Sequence, residues 1–308
     1  MKNNHTYLVI DIGGTAIKYA RITDNCEITE KGEVPTILKN KKRLMEQLFS
    51  IYKNISDVEG ISISMPGIVD MEKGYVYTSG TLECIYNEYF AKELEKELQK
   101  PVTIINDANA ATYAELKYGK LKGINTGVVL IIGTAIGGGI VIDGKIVQGS
   151  HFSAGEFSVI AGNIHHPEDI SNIFAYTNGI KALSKEIEQK SNLKNLNGIE
   201  IFDLAETGNE KVIEGLMSYC EKLIFHINNL QYILDPELFV IGGGISQRPI
   251  LLDIINQIND NWVRFQGFVK PKITTCQYYN DSNLIGALAF HIDYLNRLSE
   301  KNDMSVIL

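Results

Sequence analysis

The sequence predicts an α/β protein made of two related halves, and three observations predict it. The tetrapeptide Gly-Thr-Ala-Ile occurs twice, at 14–17 and again at 133–136, the first one glycine after the buried-strand run "YLVIDI" and the second directly after "GVVLII". Short β-branched runs alternate with stretches of helical period, the pattern of strands joined by helices. At 308 residues, with 44% apolar side chains, the chain has material for two ordinary domains or one large one.

The elements follow in order. Residues 7–12 read as a buried strand, Gly13 and Gly14 as a turn, 16–23 as a second strand, and Asp24-Asn25 as a turn into a third at 26–34. A helix is expected at about 41–54, then the strand "GISISM" and the loop "PGIVD". The stretch 88–99 carries Phe90, Leu94 and Leu98 four apart, one face of a helix that Pro101 ends. Strand "VTIIN" and a helix at 108–118 come next, and "KLKGINT" at 120–126 is the expected hinge. The second half repeats the plan: a strand at 127–132, a glycine turn, a strand at 139–142 and a hairpin at Asp143-Gly144 into "KIVQG". Residues 151–180 read as irregular, followed by helices at 180–190, 200–207 and 210–233, strand "LFVIGG", a helix at 249–260, a strand near 272–277 and a helix from 284. The expected domains are 1–119, completed by the C-terminal helix 284–308, and 120–283.

Composition excludes several classes. A net charge of −8 argues against a surface that tracks nucleic-acid phosphates, which needs clustered Lys and Arg. The basic cluster Lys39, Lys41, Lys42, Arg43 reads as a solvated helix face. No export signal is read at the N-terminus, because Asp11 interrupts the early apolar run, and no stretch nears the roughly 20 apolar residues of a membrane span. Cys26, Cys84, Cys220 and Cys276 are scattered without a CxxC pair, as in a reduced, cytoplasmic protein with buried thiols.

Chemistry is expected at the glycine turns. In Asp11-Ile12-Gly13-Gly14-Thr15, glycine lets backbone N–H groups close on an anion, and Thr15 adds a hydroxyl donor. Asp11 could hold a hydrated Mg²⁺ beside phosphate oxygens; a plain hairpin with an exposed Asp is the structural alternative. Both repeated turns run strand to strand, unlike the strand-to-helix phosphate loops, so they read as two grips facing a shared cleft. Gly137-Gly138-Gly139 weakens a strand, which either a close ligand approach or a β-bulge would justify. Gly242-Gly243-Gly244 reads as a nucleotide floor or a tight strand-to-helix turn. Asn106-Asp107 sits where a strand ends and a helix begins, the ligand edge of an open α/β sheet. Asp107 is either a general base for a substrate hydroxyl or the helix N-cap, although Ala110 stands where a capping box puts Glu or Gln. Glu156 can accept hydrogen bonds from sugar hydroxyls, and His165-His166 read as surface histidines, since neighbours in sequence point apart and no Cys is near.

Taken together, "DIGGTAIK", "SMPGIVD", "NDANAA", "GTAIGGGI", "AGE", "DPELFVIGGGIS" and "LIGAL" resemble the ROK family of sugar kinases, from about Leu8 to His291. The resemblance implies two actin-like ATPase (ribonuclease H-like) domains with a cleft between them. It also implies ATP- and Mg²⁺-dependent phosphorylation of a small-molecule hexose at the 6-hydroxyl, and a homodimer. On it, Asp11, Gly13, Gly14, Thr15, Lys18, Thr134, Gly137 and Gly138 serve the ATP phosphates, with Mg²⁺ near Asp11, and Gly243 and Gly244 lie by the adenosine. Asp107 is the base, and Gly67, Asn106, Asp107 and Glu156 hold the sugar.

The departures carry information. Val159 stands where the family commonly has a zinc-binding His, and the three-cysteine zinc motif is absent, so no structural zinc is expected. A second sugar-binding Glu falls near Phe174 by hand alignment, and Ala135 replaces a usual glycine. With "FSAGEF" and "GGGISQRP", the chain is similar to the zinc-free β-glucoside kinases, and an aromatic near the sugar would suit a bulky anomeric substituent. N-acetylmannosamine kinase and glucokinase are the alternatives within the class. A sugar-sensing transcription regulator would carry a helix-turn-helix ahead of the body, and only six residues precede the first strand. A filament-forming actin relative would have no use for Asn106, Asp107 and Glu156.

Overall fold

The computed structural model describes residues 5–162, 165–166 and 168–305. The end of the expected C-terminal helix, 306–308, and three residues around the histidine pair (163, 164 and 167) lie outside them. The chain divides into two compact units: Met1–Lys117 with Gln148–Ser153 and Asp281–Leu308, and Tyr118–Val147 with Ala154–Asn280.

Unit 1 contains β1 (Thr6–Ile12), β2 (Ala16–Thr23), β3 (Ile28–Pro35), α1 (Lys41–Asn54), β4 (Ile61–Met65), β5 (Val69–Asp70), β6 (Tyr75–Val76), α2 (Phe90–Leu98), β7 (Val102–Asn106) and α3 (Asp107–Lys117). Unit 2 contains β8 (Gly127–Ile132), β9 (Ile136–Ile142), β10 (Lys145–Ile146), α4 (Phe174–Asn178), α5 (Ile180–Ser191), α6 (Gly198–Glu206), α7 (Glu210–Leu234), β11 (Leu238–Gly242), α8 (Pro249–Asn261) and β12 (Ile273–Thr275); α9 (Ser282–Ser305) returns to unit 1.

The two main sheets have the same topology. Unit 1 orders its strands β3-β2-β1-β4-β7 and unit 2 orders its own β10-β9-β8-β11-β12. In each, three strands form an antiparallel meander and two further strands add in parallel. The parallel strands β4 and β7 are buried at every position, as helix-covered strands are.

Local chemistry sets the boundaries. Asn40 caps α1 by accepting from the Arg43 N–H at 3.1 Å, and Leu44, Leu48 and Ile51 turn its apolar stripe inward. A capping box of Asn197 and Glu200 starts α6, and Pro249 occupies the first turn of α8. The third strand begins at Ile28 rather than 26, because Cys26 closes the preceding turn with a positive φ of 65° and an N–H bond to the Thr23 carbonyl. The second strand of the second turn starts at Ile136, not 139. Residues 151–180 are less irregular than expected, with 3-10 turns at Phe157–Val159 and Ile170–Asn172 and helix α4. Lys41 is not merely solvated, for it ion-pairs with Glu88 and Glu93. Cys220 and Cys276 are buried, whereas Cys26 and Cys84 are partly exposed.

One close contact joins two helices of unit 1. Helices α3 and α9 cross at Gly286, where an added Cβ would lie 1.7 Å from the Ala110 carbonyl oxygen. The alanines of "NDANAA" and the glycine of "LIGAL" thus let two backbones meet, and Ser62 ties β4 to the Ala287 carbonyl at 2.7 Å. Among the described residues, no helix is long and apolar enough to cross a membrane.

Candidate active site

The first glycine turn is held from three sides within unit 1. Ile12 and Ile17 pair across it, the Gly13 N–H donates to the Ala16 carbonyl at 2.9 Å, and Thr36 clamps it from just beyond β3. The Thr36 hydroxyl donates to the Gly13 carbonyl at 2.7 Å, and its N–H to the Thr15 carbonyl at 3.0 Å. Gly14 and Thr15 are exposed at the tip. An added Cβ on Gly14 would sit 3.1 Å from the Thr81 hydroxyl, so Thr81 borders the same turn.

Asp11 is not an exposed hairpin residue. Its Oδ1 accepts from the Ser64 hydroxyl at 2.9 Å and from Asn283 Nδ2 at 3.1 Å, and Lys18 is its cross-strand partner. Burial raises its carboxyl pKa above the ordinary value, against the lowering pull of those donors and of Lys18. A carboxylate whose two hydrogen-bond donors are both neutral suits a cation, so the donor set fits Mg²⁺ through its waters. Neither Ser64 nor Asn283 was anticipated. The signal for Ser64 was there: "GISISM" puts serines at alternate positions of a strand otherwise apolar throughout.

At the β7–α3 junction the two neighbouring polar residues divide their work. Asn106, buried at 7% exposure, caps the helix: its Oδ1 accepts from the Asn109 N–H at 3.0 Å. Its Nδ2 donates to the Gly67 carbonyl at 2.9 Å. Asp107 is the first helical residue, with Oδ1 accepting from the Ala108 N–H at 2.8 Å. The capping alternative for Asp107 is therefore taken by Asn106, one residue earlier, because that residue ends the strand with its side chain over the helix start. Gly67 has a φ of +105°, and a Cβ there would fall 2.1 Å from the Thr78 carbonyl oxygen. Only glycine lets the loop after β4 press against the Thr78 backbone and present its carbonyl to Asn106.

In unit 2 the second turn differs from the first by one residue. Ile132 and Ile136 pair across Gly133-Thr134-Ala135, where the first turn has four residues between its closing isoleucines. The Gly133 N–H accordingly bonds the Ala135 carbonyl at 2.9 Å, and the Ile180 N–H at the head of α5 donates to the Gly133 carbonyl at 2.9 Å. Gly243 lies beside it with φ +96°, and a Cβ would be 2.0 Å from the Ile132 carbonyl oxygen; Gly244 faces open space. Thr134, Gly243 and Gly244 are thus brought together in one unit.

The glycines of β9 have another reason. Gly137, Gly138 and Gly139 pair with Ile131, Leu130 and Val129 in continuous register, without a bulge. A Cβ on Gly138 would fall 2.2 Å from the Phe157 ring, so the glycine makes room for the turn that follows Glu156. Glu156 precedes that 3-10 turn without capping it, and burial raises its pKa above the usual carboxylate range. Phe174 is fully buried in the core of unit 2 and stacks on His226 with ring centroids 3.9 Å apart. It has no surface to offer a sugar substituent, and the expectation built on its alignment is corrected. Val159 is 67% exposed, His165 and His166 are exposed, and among the described residues no group of three or more His, Cys, Asp or Glu is arranged to hold a metal.

Comparison with known proteins adds a frame to this geometry. The family model described as "ROK family" matches residues 7–293. A β-glucoside kinase of Listeria innocua is 31% identical over 297 residues, 93% of this chain and 97% of that protein. A glucokinase of Halalkalibacterium halodurans is 29% identical over 315 residues, covering 91% of this chain and 93% of that protein. Among solved structures, a ROK family protein from Streptococcus pneumoniae in complex with sucrose superposes with a TM-score of 0.82 at 28% identity, covering 96% of this chain and 99% of that one.

Proposed function

The chain belongs to the ROK family, and from that premise we propose that it is an ATP-dependent sugar kinase whose acceptor is a β-glucoside, phosphorylated at the 6-hydroxyl. The single observation that carries the reading is the β7–α3 junction, where Asn106 caps the helix and grips Gly67 while Asp107 stands at the first helical position.

In this reading Gly67, Asn106 and Glu156 orient the sugar, and Asp107 accepts the proton of the attacking hydroxyl. That oxygen forms its bond to the γ-phosphorus as the bond from phosphorus to the β,γ-bridging oxygen breaks. Phosphoryl transfer through a loose transition state asks more of orientation than of early proton removal, so the anchoring of Asn106 counts as much as the basicity of its neighbour. The turns at Gly13–Thr15 and Thr134 offer backbone N–H and hydroxyl donors to phosphate oxygens, with Lys18, Gly137 and Gly138 on the strands behind them and Gly243 and Gly244 beside the second. Asp11, tuned by Ser64, Asn283 and Lys18, would hold Mg²⁺, which supplies neutralising charge to the phosphates. The β-glucoside choice leans on the Listeria innocua relative; the glucokinase relative favours free glucose as the second reading.

The test is a coupled ADP-release assay across glucose, cellobiose, an aryl β-glucoside, N-acetylmannosamine and N-acetylglucosamine. The highest kcat/KM is expected on a β-glucoside. A preference for free glucose overturns the substrate, and ATP turnover indifferent to every sugar overturns the kinase.

A further inference from the structure

Phe174 is enclosed in a core, whereas unit 1 carries a partly exposed aromatic pair. The Gly67 carbonyl that Asn106 grips lies in the loop pressed against Thr78, whose carbonyl oxygen would be 2.1 Å from a Gly67 Cβ. Tyr77 precedes Thr78, and its ring stacks on Phe152 with centroids 5.3 Å apart and planes 19° from parallel. Both rings are partly exposed. Tyr75 packs edge-on against Tyr77 and also against Tyr89, each at 4.7 Å, and so braces the pair from one side.

Phe152 is held there by an unusual backbone. The segment Gln148–Ser153 belongs to unit 1, although both its flanks belong to unit 2. Gln148 Oε1 accepts from the Met71 N–H at 3.3 Å, and the Phe152 N–H closes a turn on the Gly149 carbonyl at 3.4 Å. Phe152 has a φ of 60°, a left-handed conformation uncommon for a residue of this bulk. Such conformations persist where the surroundings over-determine them, and they gather at ligand clamps. A ring serving only as core filling would be covered, whereas both of these are partly exposed, in the unit that holds Gly67 and Asn106.

We infer that Tyr77 and Phe152 form a stacking platform for the group on the anomeric oxygen of the acceptor, an aryl ring or a second pyranose lying on its apolar face. The inference rests on the acceptor site proposed at Gly67, Asn106 and Asp107. Stacking of this kind binds ground and transition states alike, so it lowers KM for glycosides and leaves kcat nearly the same.

The test compares 4-nitrophenyl β-D-glucoside, cellobiose and glucose with wild type, Tyr77→Ala and Phe152→Asn. Asparagine is chosen because it tolerates the left-handed backbone while removing the ring. The glycoside-to-glucose ratio of kcat/KM is expected to fall about tenfold in each variant, through KM. Tyr77→Phe and Phe152→Tyr should keep the wild-type ratio. A ratio unchanged by both ring-removing variants overturns the platform, and so does a fall in activity shared equally by glycosides and glucose. Titration calorimetry with the nitrophenyl glucoside separates this failure from that of the kinase reading. If wild type turns over no sugar yet binds the glycoside at least about fivefold more tightly than Tyr77→Ala, the platform stands and the kinase falls. Equal affinity, or no binding, sinks the platform.

Discussion

Asp107→Asn isolates proton acceptance from folding, and the structure sets the size of both effects. The aspartate Oδ1 accepts from the Ala108 N–H at 2.8 Å, and an asparagine oxygen accepts that bond equally well. The cap is carried by Asn106, bonded to the Asn109 N–H at 3.0 Å, and is untouched. Stability should therefore stay within about 0.5 kcal/mol of wild type. The rate should not: a positioned general base contributes about 10²- to 10⁴-fold, so kcat falls by that factor, which is about 3–5 kcal/mol of barrier. The sugar KM should move by less than about threefold, since the hydroxyl keeps its neighbours and loses only its proton acceptor. Steady-state ADP release at saturating sugar reads the rate, and a melting curve reads the fold. A kcat within about tenfold of wild type, with the fold intact, would remove Asp107 as the base. Asn106→Ala is the matched contrast, for it deletes both the cap and the tether to Gly67 and should cost about 2 kcal/mol of stability and raise KM as well.

Three further outcomes are expected. Gly286→Ala drives a methyl group to 1.7 Å from the Ala110 carbonyl, so α3 and α9 must part; a loss of about 3 kcal/mol lowers the melting temperature by about 6–12 °C, and a shift under about 2 °C would refute the crossing. Asp11→Asn removes a carboxylate whose pKa burial has raised. A raised acid binds its proton more tightly when folded, so stability is lost as pH rises from the ordinary carboxylate range through the raised value. The variant should thus be more stable than wild type near pH 7 without Mg²⁺, by thermal melting, yet lose activity about 10²-fold; a variant less stable than wild type near pH 7 would contradict this. His226 is held neutral, its pKa lowered by burial to about 4. The unfolded chain takes up that proton first, so up to about 3 kcal/mol is lost as pH falls from about 6.5 to 4. His226→Phe, which keeps an aromatic ring against Phe174, should flatten that acid limb in pH-dependent melting, and an unchanged slope would contradict the assignment.

The candidate site is proposed from short local patterns in the sequence. Glycines beside a strand end, an Asn-Asp pair at a strand–helix junction and a Glu among small residues announce themselves within a few positions. Partners distant in sequence were not legible. Asn283 reaches Asp11 across 272 positions, and nothing around "DSNLIGAL" indicates which strand end it will meet. Phe174 shows the converse: alignment put it beside a sugar, while packing closed it against His226. Gly138 teaches the same lesson, since a glycine sparing room for a ligand and one sparing room for Phe157 are written identically.

The sequence alone determined the duplicated plan, because the repeated turn and the alternation of strand and helix are local periodicities that each half carries within itself. It also determined the kinase family, through an ordered set of motifs that chance does not assemble. The tertiary structure decided which side chains are buried and which atoms they touch. It set Asn106 rather than Asp107 as the cap, closed the crossing at Gly286, and carried Phe152 into the first unit against Tyr77. Those outcomes depend on distances between residues far apart along the chain, and such distances are set by packing many elements at once.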